Sequence, residues 1–294
     1  MYFTLTWIIE QTDEGKIIRD FLKEKNISAR TLTSIKYHGG QISVNGTEQN
    51  VRYPLHTGDN LKIVFPREER GFLIEEDIPL AIRYEDEYLL VVSKPANMNT
   101  IPSREHPVGS LANAIAGYYR KINLPSTVHI VTRLDRNTSG LVLIAKYQHV
   151  HHLFSKEQKN HLVKRTYAAF AEGAISEKTG KIEEPIGRKK DSIIEREVTS
   201  DGQYACTYFR VLHIYEQFSY LEVQLETGRT HQIRVHFAYI GHPLVGDDLY
   251  GGKSLLMERQ ALHCKSLSFY HPFKNKFFTF EEPLPADMRH LLDN

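Results

Sequence analysis

The sequence is poor in cysteine, in net charge and in long hydrophobic runs. It contains two cysteines among 294 residues. Both Cys206 and Cys264 lie in apolar segments, so we expect reduced, buried thiols rather than a disulfide. No apolar run reaches membrane-spanning length, and the N-terminus lacks the basic start and cleavage site of a signal peptide. These absences predict a cytoplasmic protein with no membrane partner.

The formal net charge is only +1, because 37 lysines and arginines are balanced by 36 acidic residues. A near-neutral balance argues against a protein that binds nucleic acid over its whole surface. The positive charge is nevertheless concentrated in two groups, one before Tyr167 and one at residues 188–190. Each group can also be read as a solvated face. The first group consists of Lys156, Lys159, Lys164 and Arg165.

Two common kinds of catalytic centre have no counterpart in the sequence. The glycine-rich GxxxxGKS loop that cradles phosphates is absent. His149, His151 and His152 have no cysteine or acidic residue at a spacing suited to a metal, so a solvated helix face is the simpler interpretation. The acidic pair Asp247-Asp248 is interpreted as part of a structural loop. We therefore expect no metal and no organic cofactor.

The length of the chain allows two domains. Residues 1–70 predict a small α+β domain, with a second helix that begins after Ser28 and carries Arg30 and Lys36, followed by strands at Asn-Gly and Gly-Asp turns. Residues 71–294 alternate irregularly between short strands and helices. This alternation predicts an α+β fold with a mixed, largely antiparallel sheet and flanking helices.

The periodicity of the larger domain predicts its individual elements. The expected helices are Ser110–Tyr119, His149–Gln158 and Thr230–Ile240. The expected strands are Tyr88–Val92, Ile130–Leu134, Leu141–Ala145, Thr166–Ala171, Ala205–Val211 and Tyr220–Leu225.

The most informative segment is the polar turn around Asp135, which lies between two apolar runs. Strands on both sides would hold such a turn at the edge of a core. Asp135 and Asn137 can be plain turn residues whose side chains bond their own backbone. The alternative is a single reactive carboxylate flanked by Arg133 and Arg136.

The order of residues in this turn favours the reactive carboxylate. The segment RLDRNTSG, which begins at Arg133, resembles the R-L-D-x-x-T-S-G signature of the RluA/RluD family of RNA pseudouridine synthases. Thr132 stands where the family usually has histidine. The resemblance covers about Asp77 to Met288. It includes the strand that ends in Lys94-Pro95, the KRTY segment, LETGRTHQIRVH, GHPLVGD and PLPADM.

The resemblance implies roles for three residues. Asp135 corresponds to the catalytic nucleophile, Tyr167 to the tyrosine that stacks on uracil and can accept the C5 proton, and Arg234 to the arginine partner of the nucleophile. A carboxylate in a dry pocket tends to protonate, so a nearby permanent cation is needed to keep it nucleophilic. A helix that begins near Thr230 would let Arg234 reach Asp135. Without the motif, Tyr167 can be core filling and Arg234 an exposed helix arginine.

Other residues are expected to contact RNA. Arg133 corresponds to the family's arginine that fills the space of a flipped nucleotide, and we expect Lys94 and Arg229 to contact the substrate. Arg229 is also an alternative partner for Asp135. The N-terminal domain resembles an S4-like RNA-binding domain, in which Arg30 and Lys36 would meet RNA, although a generic α+β cap shows the same periodicity.

The sequence therefore predicts a cofactor-independent isomerase that converts uridine to pseudouridine in structured ribosomal or transfer RNA, and we expect a monomer. An RNA-binding protein with this fold but no activity is a second hypothesis, against which the presence of Asp135, Tyr167 and Arg234 argues. A hydrolase with an aspartate nucleophile is a third. Such phosphatases typically carry D-x-D with a metal, whereas Asp135 is followed by Arg136 and Asn137.

Overall fold

The computed structural model describes residues 2–69, 71 and 73–292. It contains a small four-stranded antiparallel sheet, a ten-stranded mixed sheet and a separate two-stranded ribbon. The predicted α+β class is confirmed.

The small sheet consists of β1 (Thr4–Ile8), β2 (Gln41–Val44), β3 (Thr47–Glu48) and β4 (Asn60–Val64), in the order β1-β4-β2-β3. Helices α1 (Ile18–Glu24) and α2 (Ala29–Tyr37) connect β1 to β2, and their apolar side chains share a core with the sheet. The predicted cap of α2 is confirmed, because Ser28 Oγ accepts a hydrogen bond of 3.0 Å from Thr31 N. Asn45 and Gly46 both have positive φ angles, as an Asn-Gly hairpin turn requires.

The remaining elements form the larger part of the chain. The strands are β5 (Ala81–Glu85), β6 (Leu89–Lys94), β7 (His129–Ile130), β8 (Ser139–Ala145), β9 (Lys164–Glu172), β10 (Thr179–Glu183), β11 (Ile186–Arg188), β12 (Arg196–Val198), β13 (Cys206–Ile214), β14 (Phe218–Leu225), β15 (Leu262–His271) and β16 (Lys276–Glu281). The helices are α3 (Leu111–Lys121), α4 (Gln148–Lys159), α5 (Gln232–Tyr239) and α6 (Ala286–His290).

The large sheet has the order β10-β13-β14-β9-β15-β8-β6-β5, with β16 on β15 and β7 on β8, and β11 and β12 form the ribbon. β8 and β15 pair in parallel, and the other pairs recorded in this sheet are antiparallel. The predicted helices are present, although α5 begins two residues later than expected because His231 adopts a left-handed conformation with φ of 57°. Cys206 and Cys264 are free and buried, as predicted.

The predicted strand at Ile130–Leu134 is wrong beyond Ile130. The chain leaves the sheet there because backbone amides donate to side-chain hydroxyls instead of to a neighbouring strand. Thr132 Oγ1 accepts from Leu143 N at 2.9 Å, and Thr100 Oγ1 accepts from Leu134 N at 3.1 Å. The segment from Val131 to Thr138 is therefore a loop, called here the catalytic loop after the role that the sequence predicts for Asp135. The hydroxyl of Thr132 supports this loop from within the protein.

The polar turn ends in Gly140, where the backbone conformation and the space both require glycine. Its φ is +114°, and a Cβ atom at this position would lie 2.3 Å from the carbonyl oxygen of Cys264. A larger residue would therefore push β8 away from β15 just after the catalytic loop.

The N-terminal part of the chain, with the small sheet, packs directly on the part with the large sheet. The ring of Phe3 stacks on Tyr147 at a centroid distance of 4.4 Å, and Phe65 stacks on His149 at 5.2 Å. His149 is thus buried rather than on a solvated face, and burial lowers its pKa to about 4. The expected domain boundary falls at residues 70 and 71, and Arg70 lies outside the described residues. Within the described part of the chain, no helix is both long enough and apolar enough to span a bilayer.

Candidate active site

A cleft of about 1060 Å³ opens between the catalytic loop, the start of β9 and the turn that precedes α5. Five of the predicted site residues line it, namely Asp135, Tyr167, Arg234, Arg133 and Arg229. These residues are far apart in the sequence, and the fold brings them to one cavity.

The backbone of the catalytic loop is fixed on both sides of Asp135. Thr100 Oγ1 donates to the carbonyl oxygen of Leu134 at 2.6 Å, and Arg259 Nη1 donates to that of Asn137 at 3.0 Å. The amide of Thr138 donates to the carbonyl oxygen of Asp135 at 3.1 Å. The carboxylate is therefore presented to the cleft from a turn with a fixed backbone, although side chains hold it on the N-terminal side, where a strand was predicted.

Lys94 does not line the cleft, which corrects its expected role as an RNA contact. Its side chain is fully buried, and its Nζ donates to the carbonyl oxygens of Pro95, Met98 and Arg136 at 2.8, 2.7 and 3.1 Å. Burial lowers the pKa of Lys94 to about 7, and the charge of Asp135 opposes this decrease. Lys94 ties the end of β6 to the catalytic loop from inside the protein, so it is a positioning residue.

Arg234 reaches the carboxylate of Asp135. Its Nη1 lies 3.5 Å from Asp135 Oδ2, with 7% of the Arg234 side chain and 26% of the Asp135 side chain exposed. The predicted ion pair is therefore present in the structure. At 3.5 Å this contact is longer than a direct charge-assisted hydrogen bond.

Asp247 holds Arg234 more tightly than Asp135 does. Its two carboxylate oxygens accept from Nε and Nη2 of Arg234, both at 2.7 Å, and its side chain is fully buried. The preceding residue, Gly246, lets the loop that carries Asp247 pass close to the backbone of Arg259, since a Cβ atom there would lie 2.2 Å from the carbonyl oxygen of Arg259. Sequence reasoning interpreted Asp247 as part of a structural loop. The Gly-Asp pair in GHPLVGD was the available signal.

The ring of Tyr250 packs against the face of the Arg234 guanidinium. Arg234 Cζ lies 4.9 Å from the ring centroid of Tyr250, an arrangement that favours a cation. The hydroxyl of Tyr250 accepts from Arg196 N at 2.9 Å and lies 2.8 Å from Nδ1 of His231. Burial lowers the pKa of His231, although the charge of Asp135 opposes the change. His231 lines the cleft and was not predicted as a site residue.

Tyr167 lies in the middle of β9 at the floor of the cleft, and only 3% of it is exposed. Burial raises its pKa above the ordinary value, and the charge of Arg165 opposes the increase. Its phenol is therefore neutral at physiological pH. A neutral, buried ring at the floor of a cleft is suited to stacking on a planar base.

The cleft is strongly positive although the whole chain is nearly neutral. Its lining contains two acidic residues, Asp135 and Glu226. It contains seven cations: Arg133, Arg136, Lys159, Lys164, Arg165, Arg229 and Arg234. Such an excess in a concave surface attracts a polyanion.

The cations that were predicted to bind RNA differ in their surroundings. Arg133 is exposed and makes no ion pair within the described ranges. Arg229 is also exposed, and its Nε donates to the carbonyl oxygen of Tyr204 at 2.9 Å. Arg30 and Lys36 lie outside the cleft, on the exposed side of α2. In the part of the chain that the structure describes, no group of three His, Cys, Asp or Glu residues could hold a metal ion.

Comparison with known proteins identifies the family of the chain. A family model described as RNA pseudouridylate synthase matches residues 88–239, which include the catalytic loop, Tyr167 and Arg234. The chain belongs to this family. The synthase is 49% identical over 276 residues to the uncharacterized RNA pseudouridine synthase YjbO of Bacillus subtilis (strain 168), covering 94% of this chain and 98% of that protein. The predicted family and the predicted enzyme class, an RNA pseudouridine synthase, are thus confirmed.

Two further relatives show how widely the similarity extends. The synthase is 36% identical to ribosomal large subunit pseudouridine synthase D of Pseudomonas aeruginosa, covering 86% of this chain and 83% of that protein. A solved structure, Human RNA Pseudouridylate Synthase Domain Containing 1, aligns with a TM-score of 0.59 and 23% identity, covering 74% of this chain and 95% of that chain. This structural similarity supports the fold alone.

Proposed function

We propose that the synthase converts specific uridines in ribosomal or transfer RNA to pseudouridine, with Asp135 as the nucleophile and without a cofactor. The observation that carries the proposal is a partly exposed carboxylate 3.5 Å from a buried arginine in a cleft lined by seven cations. The printed name of the Pseudomonas aeruginosa relative supports ribosomal RNA as the substrate. Transfer RNA remains the alternative.

The reaction needs no net oxidation and no hydrolysis. The bond between N1 of uracil and C1′ of ribose breaks, a bond between C5 and C1′ forms, C5 loses its proton and N1 gains one. Asp135 attacks the nucleotide, and the bond that it forms breaks again when C5 joins C1′, which regenerates the free carboxylate. Arg234 stabilises the negative charge of that carboxylate before attack and after release. Tyr167 stacks on the detached uracil and keeps it in the cleft. Because its phenol is neutral, its hydroxyl is the proposed acceptor of the C5 proton only as a relay, which gives up its own proton to solvent as it receives the one from C5.

A uridine within folded RNA cannot reach Asp135 unless it leaves its stack. Arg133 lies at the rim, two residues before Asp135, and its planar guanidinium can stack on bases as well as contact phosphate. We propose that Arg133 occupies the space of the extruded uridine, which lowers the cost of holding the base in the cleft.

The proposed reaction can be measured through the proton that leaves C5. RNA carrying tritium at uracil C5 should release tritium to solvent when incubated with the purified synthase. Because every proposed group belongs to the chain, release should continue at the same rate after treatment with EDTA. Loss of activity that returns only when a metal is restored would contradict the cofactor-free mechanism.

We further propose that the N-terminal domain is an S4-like clamp for RNA. In the variant Arg30→Ala/Lys36→Ala, we expect weaker RNA binding and a salt dependence reduced by about 1.4–1.8 in log–log slope, since each lost phosphate contact removes about 0.7–0.9. Tritium release at saturating RNA should be unchanged. Substitution is preferable to deletion of the domain, because Phe3 and Phe65 pack on the catalytic domain.

The matched control is Arg52→Ala/Lys62→Ala, which removes the same charge from exposed positions of the same domain outside α2. Affinity and slope should then change little. Equal changes in both double variants would show that α2 has no special role and would contradict the clamp.

A further inference from the structure

Two tyrosines at the rim of the cleft are held by acidic side chains. Tyr208 Oη donates to Glu226 Oε2 at 2.9 Å, and Tyr204 Oη donates to Glu183 Oε1 at 2.8 Å and to Glu226 Oε1 at 3.3 Å. Tyr208 and Glu226 belong to the lining of the cleft. We call these four residues the tyrosine rim. The reaction described above uses none of them.

The tyrosine rim is rigid although its rings face solvent. Tyr204 is 49% exposed and Tyr208 is 43% exposed. Glu226, which both hydroxyls share, is itself anchored, because its amide donates to the carbonyl oxygen of Cys206 at 3.2 Å and its own carbonyl oxygen lies 3.0 Å from Nδ1 of His161. Exposed aromatic rings whose rotation is already restricted lose little conformational entropy when a flat ligand binds.

The charge of the tyrosine rim indicates which part of an RNA it meets. Glu183 and Glu226 are acidic. Hydrogen bonds from Lys181 and Tyr204 lower the pKa of Glu183, and hydrogen bonds from Tyr208 and Tyr204 help to lower that of Glu226. Carboxylates repel phosphates but not neutral bases. The cations Lys159, Lys164 and Arg165 line the same cleft and are suited to the RNA backbone. The rim is therefore suited to bases rather than to phosphates.

We propose that Tyr208 and Tyr204 form a stacking platform for an unpaired nucleobase that neighbours the target uridine. This inference rests on the proposed function, since it places a second nucleotide of the same RNA beside the cleft. Arg229 lies next to the platform through its bond to the carbonyl oxygen of Tyr204 at 2.9 Å and binds the phosphate between the two nucleotides. The platform favours targets in loops, because a paired neighbour cannot present its face.

The test compares binding of two probes of equal length and charge, a short oligouridylate and an abasic oligoribonucleotide. Stacking on an aromatic side chain tolerates any base, so Tyr208→Ala should weaken oligouridylate binding by about 5- to 100-fold. Binding of the abasic probe should change less than about twofold, because its phosphate contacts are untouched. Unchanged affinity for the abasic probe also shows that the variant is folded.

Two further variants sharpen the test. Tyr208→Phe keeps the ring and loses the bond to Glu226, so most of the preference for oligouridylate should remain. Tyr239→Ala removes another exposed tyrosine, 56% exposed, which does not line the cleft, and should affect neither probe. Equal losses for both probes in Tyr208→Ala, or no loss for oligouridylate, would overturn the platform.

Tritium release measured on the same preparations separates this inference from the proposed function. Wild-type protein that prefers oligouridylate over the abasic probe but releases no tritium from labelled RNA would contradict the isomerase and support the platform. Wild-type protein that releases tritium but binds both probes equally would support the isomerase and contradict the platform.

Discussion

Asp135→Asn is expected to abolish tritium release while leaving RNA binding nearly intact. The substitution keeps the size and the turn-forming ability of the side chain but removes the negative charge that attacks the nucleotide. Loss of a nucleophile that acts together with its partners lowers turnover by about 10⁴-fold or more. The loop should keep its shape, since Thr100, Arg259 and the amide of Thr138 hold its backbone rather than the carboxylate.

The measurement is single-turnover tritium release at saturating RNA, with affinity determined in parallel. Asp248→Asn is the matched control, because Asp248 is an exposed aspartate outside the cleft lining and its loss should change neither quantity. An Asp135→Asn enzyme with more than about a tenth of wild-type turnover would contradict the role of Asp135.

Arg234→Lys should reduce turnover by about 10²- to 10³-fold while changing RNA affinity by less than about threefold. Lysine keeps the positive charge but cannot form the two parallel bonds of 2.7 Å to Asp247, so the cation moves away from its position beside Asp135. Arg234→Ala is less informative, because it leaves the fully buried Asp247 without a partner and should cost about 3–5 kcal/mol of stability.

Two further variants test the contact between Arg234 and Asp247. Asp247→Asn weakens the hydrogen bonds that hold Arg234 in position and leaves Arg234 itself unchanged. This variant should therefore reproduce a large part of the loss in turnover. Arg289→Lys, at an exposed position of α6, should have no effect. If Arg234→Lys retains wild-type turnover in protein whose urea unfolding curve is also unchanged, the proposed role of Arg234 is wrong.

The sequence predicted the polar turn around Asp135, although not the loop that leads into it, because the signals of the turn are local. Ser28 caps α2 as predicted, and the R-L-D-x-x-T-S-G order marks the turn around Asp135. Ser110, predicted as the first residue of its helix, is the N-cap of α3. Gly140 shows the physical basis of one motif position, the close approach to Cys264. Signals of this kind depend on neighbouring residues, so they are readable without the fold.

The misinterpreted features depend on contacts between distant segments. In the sequence, Lys94 is a cation at the end of a predicted strand. Only the structure shows that its ammonium group donates to three carbonyl oxygens inside the protein. Asp247 was interpreted only as part of a structural loop, and its bond to Arg234 becomes visible when α5 places Arg234 against it. The strand expected through Leu134 failed because the hydroxyl of Thr100, far from it in sequence, takes the place of a strand partner.

The most direct test of the central claim identifies the product. RNA lacking pseudouridine is incubated with EDTA-treated wild-type or Asp135→Asn protein and then digested to nucleosides. The nucleosides are separated by chromatography, and their masses are determined by mass spectrometry. The account predicts, for the wild type alone, a new nucleoside with the mass of uridine, the retention time of pseudouridine and no free uracil. Release of free uracil, or an equal yield from Asp135→Asn, would contradict an isomerase that uses Asp135 as its nucleophile.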